Sequence, residues 1–261
     1  MYSHHETSIQ KVVQYFRTVP EVEALILGGS IAHGFASRSS DIDVMIIVSD
    51  REYQARLEEG HLQFFDNQSC TYDGGYVDGK YLSPSLLRKL AESGSEPARF
   101  AFLDARVLFS RMEELDETIR SITRYPVEGK TERVRRFYAQ FEVWNWYASE
   151  ALKLDDRYLL GVSVAKLVLF GGRLILAHNE LLYPYHKWFL KILERAKDKP
   201  AALMECIGNL HDRPSADTIR MFYETVAGFR AWEMPDIGWS NQFMLDSELG
   251  WLHGTTAVDD L

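Results

Sequence analysis

The chain has 261 residues, of which 46% are hydrophobic and 26% are charged, a composition typical of a folded globular protein and not of a disordered one. Its formal net charge is -9, from 29 basic and 38 acidic residues, which argues against nonspecific nucleic-acid binding because that needs a basic surface. The two cysteines, Cys70 and Cys206, have no CxxC spacing, which argues against a disulfide scaffold and a structural zinc site.

The first half of the chain alternates predicted helices and strands. A helix begins at Thr7 or Ser8 and runs to about Phe16. Further helices are predicted after the S-x-x-E capping boxes that start at Ser49 and Ser110. Another is predicted from Ser83, with proline in its first turn. Strands are predicted at residues 24–27, 42–48, 62–65, 75–82 and 106–109.

The second half is predicted to be helical almost throughout. An apolar stripe at helical spacing starts near residue 131, and further helices are predicted at 185–197 and 216–232. Residues 159–177 are apolar enough to suggest a membrane span. They contain Lys166 and Arg173, however, and each would cost about 2.5–3.5 kcal/mol at the bilayer centre. We therefore predict a buried helix at the centre of a bundle.

The change in periodicity predicts an α+β fold with two domains. A mixed-sheet domain covers residues 1–125, and a helical domain with a C-terminal tail covers residues 126–261. The N-terminus lacks a basic stretch followed by an apolar run, so no secretory signal is predicted, and we expect a cytoplasmic protein.

The most informative stretch is LILGGSIAHGFASRSSDIDVMIIVS, residues 25–49. A strand leads into Gly28-Gly29-Ser30, where backbone N–H groups and a hydroxyl can approach an anion. Ten residues later Asp41 and Asp43 open the next strand, and their i, i+2 spacing puts both carboxylates on one face. Paired carboxylates suit Mg²⁺, which prefers oxygen ligands. The alternative is a tight turn followed by a surface acidic pair.

This pattern resembles that of the polymerase-beta-like nucleotidyltransferases, in which Gly-Ser is followed by Asp-x-Asp at the start of an apolar strand. The matching residues are Gly29, Ser30, Asp41 and Asp43. The order of the predicted helices and strands extends the resemblance over about the first 110 residues. The helical half resembles, by architecture, the branch that modifies small molecules such as aminoglycosides and lincosamides. The resemblance implies helices on one side of the sheet and an active site in the cleft between the two domains.

The resemblance also implies a third carboxylate on a later strand, and Asp78 is the predicted residue. An acid in the middle of a strand is costly without a partner, which favours a functional role. The alternative is a turn, since glycines flank it. Asp66 and Asp73 are the substitutes if Asp78 faces away.

In the related branch a helical-domain lysine often reaches the triphosphate, and Lys187 is the predicted counterpart. It shares a basic helix face with Lys191 and Arg195 at i, i+4, i+8 spacing. The alternative is a solvated face paired with Glu194 and Asp198.

Five weaker candidates are also considered. Arg38 and Ser39 lie in the loop before Asp41 and suit phosphate contacts, as does His33 after the Gly-Ser turn. Trp144 and Tyr147 suit stacking on a base or sugar. Loop polarity, a helix surface and core packing explain these residues equally well.

The resemblance implies a two-metal nucleotidylyl transfer. An NMP, expected to be AMP, moves from an NTP to a hydroxyl of a small molecule, and pyrophosphate leaves. The acidic charge balance suits a cationic acceptor. Gly29 and Ser30 hold the phosphates, and Asp41, Asp43 and Asp78 bind Mg²⁺ or Mn²⁺. The alternatives are transfer to RNA, transfer to a protein, and a non-catalytic nucleotide-binding protein of the same fold. A nucleic-acid partner is not expected from the net charge of -9.

Overall fold

The structure is a computed structural model that describes residues 1–254. It has two compact units, Met1–Arg124 and the chain from Tyr125 onward. The elements of the first unit are α1 (Ser3–Arg17), β1 (Val22–Leu27), α2 (Gly29–Ala32), β2 (Ile42–Val48), α3 (Asp50–Glu59), β3 (Gln63–Asp66), β4 (Val77–Leu82), α4 (Pro84–Ser93), α5 (Glu96–Phe100), β5 (Arg106–Ser110) and α6 (Leu115–Thr123).

The five strands form one mixed sheet in the order β3-β4-β2-β1-β5. The β2–β4 pair is parallel, and the β1–β2, β1–β5 and β3–β4 pairs are antiparallel. The two central strands are apolar and almost wholly buried, as their near-continuous hydrophobic sequences predict. The first unit is therefore the α+β domain expected from the sequence.

Helices cover both faces of this sheet, so the expectation of helices on one side was wrong. Residues of α1 such as Phe16 pack with Val44 and Ile46 on one face. Residues of α4 and α6 such as Leu87 and Ile122 pack with Ile47 on the other. The side chains of β2 alternate between the two clusters, because both faces of the strand are apolar and each needs a covering layer.

Two predicted helix starts in this unit were wrong. α1 begins at Ser3, and the hydroxyls of Thr7 and Ser8 donate to carbonyls one turn back inside the helix. Ser110 does not cap a helix, because its Oγ bonds both the N–H and the carbonyl of Met112 in a turn, and α6 starts at Leu115. The predicted caps at Ser49 and Ser83 are confirmed.

The second unit, over its described residues, contains helices and no strand. Its elements are α7 (Lys130–Leu154), α8 (Arg157–His178), a 3₁₀ turn (His186–Trp188), α9 (Phe189–Arg195), α10 (Leu203–Asp212), α11 (Ala216–Ala227), α12 (Trp239–Phe243), a π-helical turn (Met244–Glu248) and a final 3₁₀ turn (Gly250–His253). Residues 255–261 of the predicted tail lie outside the described residues.

Helix α8 is the apolar helix predicted at the centre of a bundle. It is long and apolar enough to cross a membrane by length and composition alone, and half of its most apolar window is buried within the protein. Gly171 and Gly172 let Phe222 and Phe189 approach its backbone closely, which is the packing of a core helix.

The predicted helix over 185–197 is interrupted. Tyr185 has φ +65°, outside the right-handed helical region, His186–Trp188 form a 3₁₀ turn, and α9 starts at Phe189. The helix ends at Arg195, and the Lys199 ammonium donates to the carbonyls of Glu194 and Ala196 just beyond. The helix predicted over 216–232 ends at Ala227, and α10 was not predicted.

Candidate active site

The strand β1 leads directly into a tight turn at Gly28 and Gly29. The Gly28 N–H donates to the Asp43 carbonyl at 2.9 Å, which fastens the turn to β2. Gly29 has φ +61°, a left-handed conformation that glycine adopts without strain. The short helix α2 starts at Gly29 and makes one turn, where the sequence suggested a start after Ser30.

The Asp43 carboxylate lies against Gly29. A β-carbon built on Gly29 would lie 1.7 Å from Asp43 Oδ2 and 2.3 Å from its Cγ. These distances are far below any real carbon contact, so only glycine leaves room for the carboxylate. The Gly-Ser turn and the acidic strand are therefore in direct contact.

The Ser30 hydroxyl is buried and unsatisfied. Ser30 is 5% exposed, and its Oγ has no hydrogen-bond partner among residues 1–254. Burying an unpaired hydroxyl costs about 1–3 kcal/mol, so such a group in a native protein calls for an explanation. A ligand oxygen at the Gly29-Ser30 turn would supply the missing partner.

Asp41 and Asp43 lie where β2 begins. Asp41 immediately precedes the strand and Asp43 is its second residue, so strand alternation sends both side chains to one face of the sheet. Met45 and Ile47 continue that face into the core beneath α4 and α6. The carboxylates thus occupy the open end of a face whose remainder is apolar.

The register of the sheet brings Asp78 next to Asp43. The two residues are direct partners across the parallel β2–β4 pair, so their side chains leave the same face of neighbouring strands. Gln63 Nε2 donates to Asp78 Oδ1 at 3.2 Å from the outer strand β3. The predicted third carboxylate is therefore a neighbour of the predicted pair.

Tyr76 also belongs to this cluster, and sequence reasoning missed it. It precedes Val77, the register partner of Ile42, so its side chain lies beside that of Asp41. Hydrogen bonding to Asp41, the charge of Asp41, burial, and the charges of Asp78 and Asp43 together raise the pKa of the Tyr76 phenol. The available signal was its position two residues before Asp78 on the same strand face.

The acidic residues suit a metal that arrives with its own oxygen ligands. Among residues 1–254, no three His, Cys, Asp or Glu side chains already converge as a metal site. Mg²⁺ is commonly held by one or two carboxylates and completes its shell with water and phosphate oxygens. The Asp41–Asp43 pair beside the unsatisfied Ser30 hydroxyl fits that mode of binding.

The two substitute carboxylates lie elsewhere. Asp66 accepts from the N–H groups of Gln68 and Ser69, so it closes a turn, and its place in β3 puts it on the opposite face from Asp78. Asp73 lies in the turn before β4, outside the strand pairing that joins Asp78 to Asp43.

The weaker candidates near the turn have structural partners. His33 is buried, and its Nδ1 lies 3.4 Å from Asp104 Oδ2. The Arg38 guanidinium lies over the Tyr2 ring at 5.9 Å. Ser39 Oγ lies 3.2 Å from the hydroxyl of Ser37 within the loop. These contacts favour the structural interpretation of all three.

The candidates of the second unit also have partners there. Lys187 Nζ lies 5.0 Å from the centroid of the Trp188 ring, in a cation–π contact. The Trp144 indole donates to Gln140 Oε1 at 3.0 Å, and its ring lies 5.4 Å from that of Tyr147.

Comparison with known proteins agrees with the motif. Residues 10–68 match the family described as "Polymerase beta, Nucleotidyltransferase", a segment that contains the Gly29-Ser30 turn, Asp41 and Asp43. Curated protein sequences give no significant match. Among solved structures, the nucleotidyltransferase-like protein from Exiguobacterium sibiricum 255-15 is similar with 10% identity and a TM-score of 0.48, over 86% of this chain and 74% of that one. The segment that is similar to this family thus contains the strand–turn–strand unit at the candidate site.

Proposed function

We propose that this chain is a metal-dependent nucleotidyltransferase that moves an NMP from an NTP, with ATP expected, to a hydroxyl of a small molecule. The observation that carries the proposal is the position of Asp43. It contacts Gly29 of the phosphate-type turn on one side and neighbours Asp78 on the other. A turn for phosphates, a carboxylate pair and a third carboxylate are thus contiguous.

Each group has a role in this proposal. Backbone N–H groups at Gly29 and the Ser30 hydroxyl hold the β- and γ-phosphates. Asp41 and Asp43 hold the divalent cations, Mg²⁺ or Mn²⁺, which when bound neutralise phosphate charge and stabilise the attacking and leaving oxygens. Asp78 takes the proton from the acceptor hydroxyl. That oxygen then bonds to the α-phosphorus, and the bond to the pyrophosphate oxygen breaks.

Three further proposals follow from the sequence. Lys187 is proposed to contact the triphosphate, which Lys187→Ala would test as a loss of NTP affinity. A small acceptor is favoured over nucleic acid by the net charge of -9. A cytoplasmic location is consistent with two free cysteines, Cys70 and Cys206.

Three rival functions remain to be separated from this one. The proximity of Asp78 to Asp43 favours an active enzyme over a non-catalytic nucleotide-binding protein. Transfer to RNA or protein would use the same residues, so both belong among the acceptors to be tested.

The test is to incubate the protein with Mg²⁺ and NTPs labelled at the α-phosphate. Hydroxyl compounds, RNA and cell protein are supplied as separate acceptors. We expect label in a small molecule with one pyrophosphate released per transfer, and neither with Asp43→Asn. Release of inorganic phosphate instead of pyrophosphate, or equal activity of the variant, would refute the proposal.

A further inference from the structure

The strand order arranges the site features in a line across the sheet. The Gly29 turn follows β1, Asp43 lies on β2, Asp78 lies on β4, and Phe65 lies on the edge strand β3. Asp43 and Asp78 are register partners, and so are Asp78 and Phe65. Register partners share a face, so the three side chains project to the same side of the sheet.

The geometry of nucleotidylyl transfer indicates from which end of this line the acceptor approaches. This inference rests on the proposed function. The attacking and leaving oxygens lie roughly in line on opposite sides of the phosphorus. With pyrophosphate at Gly29 and Ser30, the acceptor approaches from the opposite side. That side is occupied by β4 and β3, beyond Asp78.

Two exposed aromatic rings lie at that position. Phe65 is 62% exposed and Tyr76 is 36% exposed. Their ring centroids are 5.5 Å apart with an interplanar angle of 30°. Tyr76 immediately precedes Val77, the register partner of Ile42, so its ring lies beside the carboxylates. Gln63 also projects here and donates to Asp78.

The charges around the rings restrict what can bind there. Asp41, Asp43 and Asp78 lie on the inner side and favour a neutral or cationic molecule over an anion. Lys80 lies on the same face of β4, but two residues beyond Asp78 and away from Tyr76. The rings themselves offer stacking area and the negative faces that attract cations.

We propose that Phe65 and Tyr76 form the acceptor subsite, and that it binds a hydroxylated ring compound, neutral or cationic. The flat face of the compound lies on the two rings, and its hydroxyl reaches Asp78. The anchor is the Phe65 ring, which is exposed on an edge strand at the register position of Asp78.

The experiment uses Mn²⁺, bound to the protein together with a non-hydrolysable ATP analogue, as a paramagnetic marker and observes small probes by proton NMR. Tyramine carries a ring, a hydroxyl and an ammonium group. Ethanolamine lacks the ring, and 4-hydroxyphenylacetate replaces the ammonium with a carboxylate. We expect Mn²⁺-dependent broadening of tyramine that exceeds the broadening of both other probes. Phe65→Ala should abolish that excess, and Phe65→Trp should retain it.

Several results would overturn the subsite. They are equal broadening of all three probes, an unchanged excess in Phe65→Ala, and a change of oligomeric state in Phe65→Ala, which would make the ring pair a contact between copies. Direct Mn²⁺ titration keeps this failure distinct from failure of the proposed function. If wild type binds Mn²⁺ and Asp43→Asn does not, a negative probe result counts against the subsite alone. If wild type binds no Mn²⁺ even with a non-hydrolysable ATP analogue present, the proposed function fails with it.

Discussion

The Asp43 carboxylate occupies the position that a side chain of residue 29 would take. The position that a β-carbon of residue 29 would take lies 1.7 Å from Asp43 Oδ2. Two residues that are 14 positions apart in the chain are thus in direct contact, one just after β1 and the other at the start of β2. Glycine at position 29 is required both by the turn and by the position of the Asp43 carboxylate. Any side chain there would displace Asp43, which is proposed to hold the metal.

The first prediction concerns this contact. Gly29→Ala should abolish Mn²⁺-dependent NTP binding, because it displaces Asp43 and also puts alanine at φ +61°. Gly34→Ala is the matched control, with φ +74° and no atom within 4 Å of the new β-carbon. It should cost about 1–2 kcal/mol of stability and leave binding intact. Equal nucleotide affinity of the two variants, measured by calorimetry, would show that the contact is irrelevant.

The second prediction separates catalysis from nucleotide binding. Asp78→Ala should slow transfer by about 10²–10⁴-fold, as expected for loss of a general base, while NTP affinity stays close to that of wild type. Asp66→Ala is the comparison, because Asp66 closes a turn and lies on the opposite face. It should lower the midpoint of thermal unfolding and leave the rate constant of transfer unchanged. Full activity of Asp78→Ala would remove Asp78 from the mechanism.

The third prediction concerns the hydroxyl of Tyr76. Tyr76→Phe keeps the ring beside Phe65 but removes the hydrogen bond to Asp41. Groups that orient a metal ligand typically change metal affinity by about 10–100-fold when lost. We therefore expect Mn²⁺ affinity to fall by at least about tenfold, with activity partly restored at high Mn²⁺. Tyr81→Phe, on the opposite face of β4, should behave as wild type. Unchanged Mn²⁺ affinity in Tyr76→Phe would show that the bond does not orient Asp41.

The fourth prediction tests the core position of α8. Gly172→Ala should destabilise the protein by about 1–3 kcal/mol, because its β-carbon would lie 2.3 Å from Phe189 Cζ. Gly161 lies in the same helix, is exposed, and has no atom within 4 Å of an added β-carbon. Gly161→Ala should therefore stabilise by about 1 kcal/mol. Urea denaturation of both variants checks the opposite signs. A stabilised Gly172→Ala would contradict the close packing at that position.

The local parts of the site were predictable from sequence. Two glycines before Ser30 predict a tight turn after a strand, and the i, i+2 spacing of Asp41 and Asp43 predicts a shared face. Both inferences need only neighbours in the chain. The same locality predicted the helix caps at Ser49 and Ser83, where side chain and backbone are three residues apart.

The pairing of the strands could not be predicted from the sequence. Nothing in the composition of β4 shows that Asp78 is the partner of Asp43, because register depends on how the whole sheet assembles. For the same reason Asp66 remained a candidate until strand pairing put it on the other face. Tyr76 was missed because its role depends on the pairing of β4 with β2, which brings it beside Asp41.

The most direct test of this account is a calorimetric titration of ATP into the protein, since it requires no knowledge of the acceptor. We predict binding in Mg²⁺ that weakens by at least about tenfold in the presence of a chelator and equally in Asp43→Asn. The variant should unfold at the wild-type temperature or above, because it loses one of three neighbouring negative charges. ATP binding that is the same with and without Mg²⁺, or the same in Asp43→Asn, would contradict a metal–nucleotide site at Gly29, Ser30, Asp41 and Asp43.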